Sequence, residues 1–275
     1  MSKKTTVILG RAFLGIMALI YLFPFLVSVL LAFKDKKETA QSVLGLPERL
    51  HWENFVNAIE KANIFHSMKN SVIVTVVSVI LVLIVASMAG YAIGRQYHKK
   101  GYRLYEMILT AAMMIPFQTL MIPLYKMLRG MGLLNTLPGV ILLIAGTNMP
   151  FAIMMFIGFV RTIPVELDEA SMLEGCGKFK TFYKIIVPIL KPITVTVAVL
   201  DSLWAWNEFN VSLLVLQKND VKTIPMQQYV FFGEHSADYN MAFAAAVISM
   251  IPIVLFFIVM QKHIVEGMTA GAVKG

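Results

Sequence analysis

Residues 201–210, DSLWAWNEFN, gather Asp201, Ser202, Trp204, Trp206, Asn207, Glu208 and Asn210 inside an otherwise apolar stretch. An ionisable side chain at membrane depth costs roughly 2.5 to 3.5 kcal/mol on insertion scales, so function or pairing is the default explanation for it. Tryptophan beside amides and carboxylates is what a sugar path needs, because a pyranose ring has an apolar face to stack and hydroxyls to hydrogen-bond. Interhelical hydrogen bonding with interfacial aromatics explains the same residues, and the two readings are compatible. Asp201 and Glu208 are also the pair that an ion-coupled secondary transporter would use.

A second concentration of polar residues lies at 161–192, RTIPVELDEASMLEGCGKFKTFYKIIVPILKP. Thr162 and Pro164 are helix-start residues, and Glu166, Asp168 and Glu169 fall in the first turns, where a helix dipole favours anions. Gly175 and Gly177 stop that helix. Lys178, Lys180 and Lys184 then alternate with aromatic and branched residues in a second short run, which Pro188 ends. The pattern predicts two short helices at an elbow, with Asp168 toward solvent. Such a segment is too charged for hydrocarbon and too regular for a linker. It reads as a docking surface for another protein or as an ordinary cytosolic loop.

Composition limits what these residues can serve. Apolar residues make up 58% of the chain and charged residues 15%, and mean hydropathy is +0.73; soluble domains run at roughly 45–50% and about 25%. The chain is a polytopic membrane protein. One cysteine excludes a disulfide framework, and five scattered histidines show no ligand spacing, so no metal site is expected. A net charge of +8 does not read as nucleic-acid binding, because the basic residues are spread among short loops between apolar spans. No Ser-His, Cys-His or paired-Asp constellation occurs within the spans, so no catalytic residue is assigned. The phosphate-cradling pattern G-x-x-x-x-G-K-[ST] is absent, so any ATP hydrolysis must lie on a partner.

Six apolar spans position the two polar segments: 12–33, 72–94, 104–124, 137–160, 189–216 and 241–260. Each is long enough for a hydrocarbon core of about 30 Å. The first is too long for a signal-peptide core and lacks a small-residue cleavage site. Residues 51–65 in the following loop read as a surface amphipathic helix, and Asn70 or Ser71 as the cap of the second span. Pro116 and Pro123 should kink the third span, with Lys126, Arg129, Gly130 and Gly132 forming a turn after it; residues 146–150 should interrupt the fourth. An even span number puts both ends on one side of the bilayer. That side carries 14 Lys and Arg against 10 opposite, so both termini and residues 161–188 are expected in the cytosol.

Glu169-Ala170-Ser171, then Gly175, then Phe179, Phe182, Ile185 and Pro188 resemble the EAA loop of ATP-binding-cassette importer permeases, whose pattern is E-A-A, three residues, G, and about nine residues to I-x-L-P. Ser171 replaces the second alanine, Glu174 the usual aspartate, Cys176 a small residue and Val187 a leucine; all four are mild departures. The segment DSLWAWNEF, the Asn70-Ser71 pair and the tail GMTAGAVKG are similar to the carbohydrate-uptake branch, namely the smaller permease of maltose-type importers.

The resemblance spans nearly the whole chain. It implies an all-α integral membrane fold, the type I importer permease, with six transmembrane helices and cytosolic coupling helices. The corresponding organisation is a cytosolic N-terminus (1–11), a permease domain (12–260, coupling loop 161–188) and a cytosolic tail (261–275). It also implies a bacterial cytoplasmic membrane, a heterodimer with a second permease, cytosolic ATPase subunits carrying ATP-Mg, and an extracytoplasmic sugar-binding protein. Glu169, Ala170, Ser171, Gly175 and Pro188 then couple to the ATPase, and Asp201, Trp204, Trp206, Asn207 and Glu208 are candidates for the substrate path.

Overall fold

The computed structural model describes residues 3–233 and 237–272. In chain order the helices are α1 (Lys3–Ala32), α2 (Lys36–Gln41), α3 (Glu53–Lys61), α4 (Ile64–Arg95), α5 (Lys100–Met113), α6 (Phe117–Gly130), α7 (Leu137–Val160), α8 (Glu166–Leu173), α9 (Lys178–Thr181), α10 (Val187–Ile189), α11 (Lys191–Trp206), α12 (Asn210–Val215), α13 (Ile224–Gln227) and α14 (Tyr239–Ala272). Among the described residues the sole extended pairing is one bridge, Phe232 with Ala237. The fold is all-α, as the resemblance implies.

Four helices are each long and apolar enough to cross a membrane: α1 over Val7–Ala32, α4, α7, and α14 over Tyr239–Lys262. Two bent pairs pass the same test jointly, Lys100–Met113 with Phe117–Gly130 at 101° and Lys178–Ile189 with Lys191–Trp206 at 74°. Among the described residues the span count is therefore four, or six when each bent pair is one span. The third span is not a kinked rod but a corner. Pro116 adopts extended backbone (φ −61°, ψ 132°) between α5 and α6, because a proline cannot continue the helix before it. Lys126 and Arg129 belong to α6 rather than to the turn, which follows at Met131 and Gly132.

Three further expectations are corrected. The fourth span is unbroken, since α7 runs through Pro150, with the Thr147 hydroxyl bonded to the Leu143 and Ile144 carbonyls. The fifth span is broken at 207–209, between α11 and α12. Asn70 and Ser71 do not cap the second span, because α4 already begins at Ile64. They are buried mid-helix: the Asn70 amide donates to the carbonyls of Asp220 and Lys222, both at 3.1 Å, and the Ser71 hydroxyl accepts from the Ile224 N–H at 2.9 Å.

The chain divides into two compact units. One comprises Met1–Ser67 with Gln227–Pro252 and the other Met68–Met226 with Ile253–Gly275. In the first, carbonyls at and just past the end of α1 accept from side-chain amides: Asn54 donates to Ala32 and Lys34, and Asn240 to Leu31. The fully buried Lys34 ammonium donates to the Ser42 carbonyl at 2.7 Å. Phe33, Trp52 and Phe55 pack ring against ring beside it. The expected amphipathic helix is α3.

In the second unit, α4 and α7 approach at two glycines. A Cβ on Gly90 would lie 2.4 Å from the Phe156 Cβ, and one on Gly94 would lie 2.9 Å from Val160 Cγ1. With Ala86 fully buried one turn earlier, α4 presents small residues four apart, which lets two backbones come close without solvent to drive them together. Phe156, Ile157 and Val160 pack there with Val82, Ile93, Phe182, Ile186 and Val197 in one cluster. The core thus joins α4, α7, α11 and the run that follows α9.

Candidate functional site

α8 carries Glu166, Asp168 and Glu169 in its first turn. Neither Thr162 nor Pro164 caps it. The Thr162 hydroxyl turns back to the Phe159 carbonyl at 2.7 Å, and the residue preceding α8 is Val165, with no side-chain cap. The far end closes as a Schellman motif, in which Cys176 N–H bonds the Ser171 carbonyl and Gly175 N–H the Met172 carbonyl, both at 3.0 Å. Gly175 supplies the left-handed residue that this motif needs, at φ +77°, and a Cβ there would meet nothing within 4 Å. Inside the elbow the buried hydroxyls of Ser171 and Thr181 are 2.7 Å apart, so serine in place of the family's alanine ties α8 to α9.

Pro188 does not end the second arm. Val187 N–H bonds the Phe182 carbonyl five residues back, a π-type register over Phe182–Ile186. The helical path continues through Pro188 in α10 and turns at Leu190. Glu169 and Ala170 are exposed on α8. Around them stand apolar side chains in water-facing positions: Leu173 is 89% exposed, Phe179 75% and Tyr183 74%. Sequence reasoning passed over Leu173 and Tyr183; Phe182 and Ile186 of the same elbow enter the core, and residue type alone does not separate the two sets.

The expectation that Asp168 faces solvent is overturned. It is buried and its Oδ2 lies 2.6 Å from Arg95 Nη2, while its Oδ1 accepts from the Tyr91 hydroxyl. Arg95 also donates to the carbonyls of Ile163 at 2.6 Å, Val160 at 3.3 Å and Pro164 at 3.3 Å. The Tyr91 ring lies 5.3 Å from that of Phe182. A cavity of about 610 Å³ opens beside this cluster, lined by Tyr91, Arg95, Lys99, Asp168, Lys178 and Phe182 among others. On the other side of the loop, Arg161 makes a bidentate pair with Glu106 at 3.1 and 2.6 Å. None of these partners is adjacent in sequence, which is why the residue types alone did not reveal them.

The second polar segment is not one constellation. Asp201 is 1% exposed, and neither carboxylate oxygen has a hydrogen-bond partner among the described residues. Trp206 is buried with it, whereas Trp204 is 44% exposed, its ring 4.8 Å from Phe151 in an edge contact. The exposed Asn207 donates to the Leu203 carbonyl at the end of α11, and Glu208 accepts from the Val211 N–H at the start of α12. Asn207 and Glu208 are thus partly used to manage the helix break, and no contact joins either to Asp201 in the hydrogen-bond geometry of the described residues.

One ligand-type cluster went unnoticed in the sequence: Asp35, Glu38 and His51 bring one atom each within 4.8 Å of one another. Its carboxylates are engaged at the start of α2, where Asp35 accepts from Glu38 N–H and Glu38 from Asp35 N–H, both at 2.8 Å. These backbone donors hold both carboxyl groups below their usual range. That is the chemistry of a capping box.

The chain is similar to known proteins. Residues 83–270 match the family described as binding-protein-dependent transport system inner membrane component. The chain is 35% identical to a probable starch degradation products transport system permease protein, AmyC, of Thermoanaerobacterium thermosulfurigenes, over 95% of each chain. It is 33% identical to the melibiose/raffinose/stachyose import permease protein MelC of Bacillus subtilis, over 95% of this chain and 94% of that one. Among solved structures it is similar to a chain of a bacterial ABC transporter involved in the import of the acidic polysaccharide alginate, with a TM-score of 0.79 at 22% identity, covering 95% and 98% of the two chains. A match over most of the length, together with relatives above 30% identity, means that this multi-pass membrane protein belongs to the binding-protein-dependent transport system inner membrane component family.

Proposed function

We propose that the chain is one of two non-identical permease subunits of an ATP-driven oligosaccharide importer in a bacterial cytoplasmic membrane. An extracytoplasmic binding protein delivers the sugar, and cytosolic ATPase subunits carrying ATP-Mg dock on residues 166–187. Both termini lie in the cytosol. The sugar class follows from the relatives, whose names specify starch degradation products, melibiose/raffinose/stachyose and arabinooligosaccharides. The observation that carries the docking surface is the trio Leu173, Phe179 and Tyr183, exposed on an elbow that Gly175 and the Ser171–Thr181 bond hold in shape. Apolar groups presented this way mark an interaction site. Within the path, Trp204 is the accessible aromatic platform and Asn207 an accessible amide, while Asp201 and Trp206 are buried and Glu208 is half-buried.

Leu173→Glu tests the docking surface, because the side chain touches no core and the variant should insert and accumulate normally. Uptake of the oligosaccharide should fall to background and the ATPase should no longer co-purify. Gly175→Asp should act in the same direction. Aspartate is among the residues that tolerate left-handed backbone, at a cost of about 1–2 kcal/mol, so the introduced charge rather than unfolding accounts for the loss. Wild-type uptake and ATPase recovery in both variants would make residues 161–188 an ordinary loop.

A further inference from the structure

α8 has two buried side chains, Asp168 and Ser171, and both are polar. Ser171 is tied to α9. Asp168 is tied to the end of α4, through Arg95 and Tyr91. No apolar side chain of α8 is buried, so within this chain the helix is fastened by these two polar links and by its connecting loops. We propose that Tyr91, Arg95 and Asp168 form the joint through which displacement of α8 reaches the membrane spans, with Arg95 as its positioning residue; this rests on the reading of residues 166–187 as an ATPase-docking surface.

The geometry fits a joint better than a simple fastening. Arg95 is the last residue of α4, yet its guanidinium engages three further pieces of chain at once: the final carbonyl of α7 (Val160), the α7–α8 loop (Ile163 and Pro164) and α8 (Asp168). A planar fork with several fixed donors can hold such a set in one orientation, as a lysine point charge cannot. Tyr91, one turn earlier, reaches both arms of the elbow, by its hydroxyl to Asp168 in α8 and by its ring to Phe182 after α9. Immediately beneath, Gly90 and Gly94 bring α4 against Phe156 and Val160 of α7 with no room for another carbon. A push on α8 therefore meets no slack between Asp168 and the α4–α7 pair. Arg95 and Asp168 are only 12% and 7% exposed, and a charge-assisted bond between them is roughly twice as strong as a neutral one.

The test uses the complete transporter, with binding protein and ATPase, in proteoliposomes. It compares wild type with Asp168→Asn, Arg95→Lys and Tyr91→Phe. Three quantities are read: ATPase recovered with the permease, ATP hydrolysed in response to sugar-loaded binding protein, and oligosaccharide accumulated per ATP. ATPase recovery should remain at the wild-type level in all three variants. Sugar accumulated per ATP should fall roughly tenfold in Asp168→Asn and Arg95→Lys, and the response of hydrolysis to the binding protein should be lost; the effect of Tyr91→Phe, which removes one oxygen, should be smaller and in the same direction. A wild-type ratio of sugar to ATP in Tyr91→Phe and Asp168→Asn overturns the joint. So does a loss of ATPase recovery in step with uptake, since the cluster would then only shape the docking surface. A wild-type permease that retains no ATPase overturns the docking reading itself, and the joint with it.

Discussion

Asp201 is buried with neither carboxylate oxygen hydrogen-bonded in the described residues, a condition that a protein interior tolerates only where something else needs the group. Its burial was legible in the sequence, because a charge in the middle of an apolar run has few places to go. Its solitude was not, for Glu208 stood within reach on paper and is in fact occupied at the start of α12. Asp168 fails the other way. Its residue type and helix position suggested solvent, and only the fold supplies Arg95 and Tyr91 from a distant helix. Among the described residues no hydrogen bond joins Asp201 to Glu208. In ATP-loaded proteoliposomes, uptake by wild type and by Asp201→Asn should be equally indifferent to a protonophore. Uptake by the variant should stay within about tenfold of wild type, because asparagine keeps the shape and most hydrogen-bonding capacity of the acid. Collapse of wild-type uptake on dissipating the proton gradient would assign Asp201 an ion-coupling role instead.

At the level of elements, proline positions were easy to see and hard to interpret. Pro116 sits where the chain turns by 101° between α5 and α6, Pro150 is absorbed into an unbroken α7, and Pro188 lies in α10 just after the π-type register of Phe182–Ile186. The difference lies in the neighbours: α7 is packed along half its length, so tertiary contacts hold it in register, while α5 has no buried residue to do so. The α4–α7 contact was legible only as a pair of glycines in an apolar run. Its weight becomes clear from the 2.4 Å that a Gly90 Cβ would leave to Phe156. Gly90→Val should lower the thermal midpoint of the detergent-solubilised protein, at a cost of about 1–3 kcal/mol or more for overpacking. Gly158→Ala is the control, since a Cβ there meets nothing within 4 Å. Equal midpoints for the two variants would mean that the helices part easily, and that the joint above has nothing rigid beneath it.

At the scale of the whole molecule, membrane orientation was read from charge, and the structure improves the means of testing it. The loop holding α2 and α3 and the segment joining α12 to α13 are expected outside; the elbow of α8 and α9 is expected inside. Thr39 and Ser236 suggest themselves as outside labelling positions from the sequence. Thr39 is engaged, its hydroxyl accepting from Asn240 at 2.8 Å, and Ser236 lies outside the described residues. Ala40 and Lys218 are exposed and serve better, and Lys180 is an exposed position on the elbow. Cys176 must first be replaced. Serine is suitable, because the local bond there is made by the backbone N–H and not by the thiol. In that background, cysteines at 40 and 218 should react with an impermeant maleimide on intact cells, while one at 180 should react only after permeabilisation. The excess of basic residues on the side expected in the cytosol is modest, 14 against 10, so that expectation rests mainly on the short basic turn 95–103 and the acid-free N-terminus. Labelling at 180 on intact cells, with protection at 40 and 218, would invert the molecule and put the elbow beyond reach of any cytosolic ATPase.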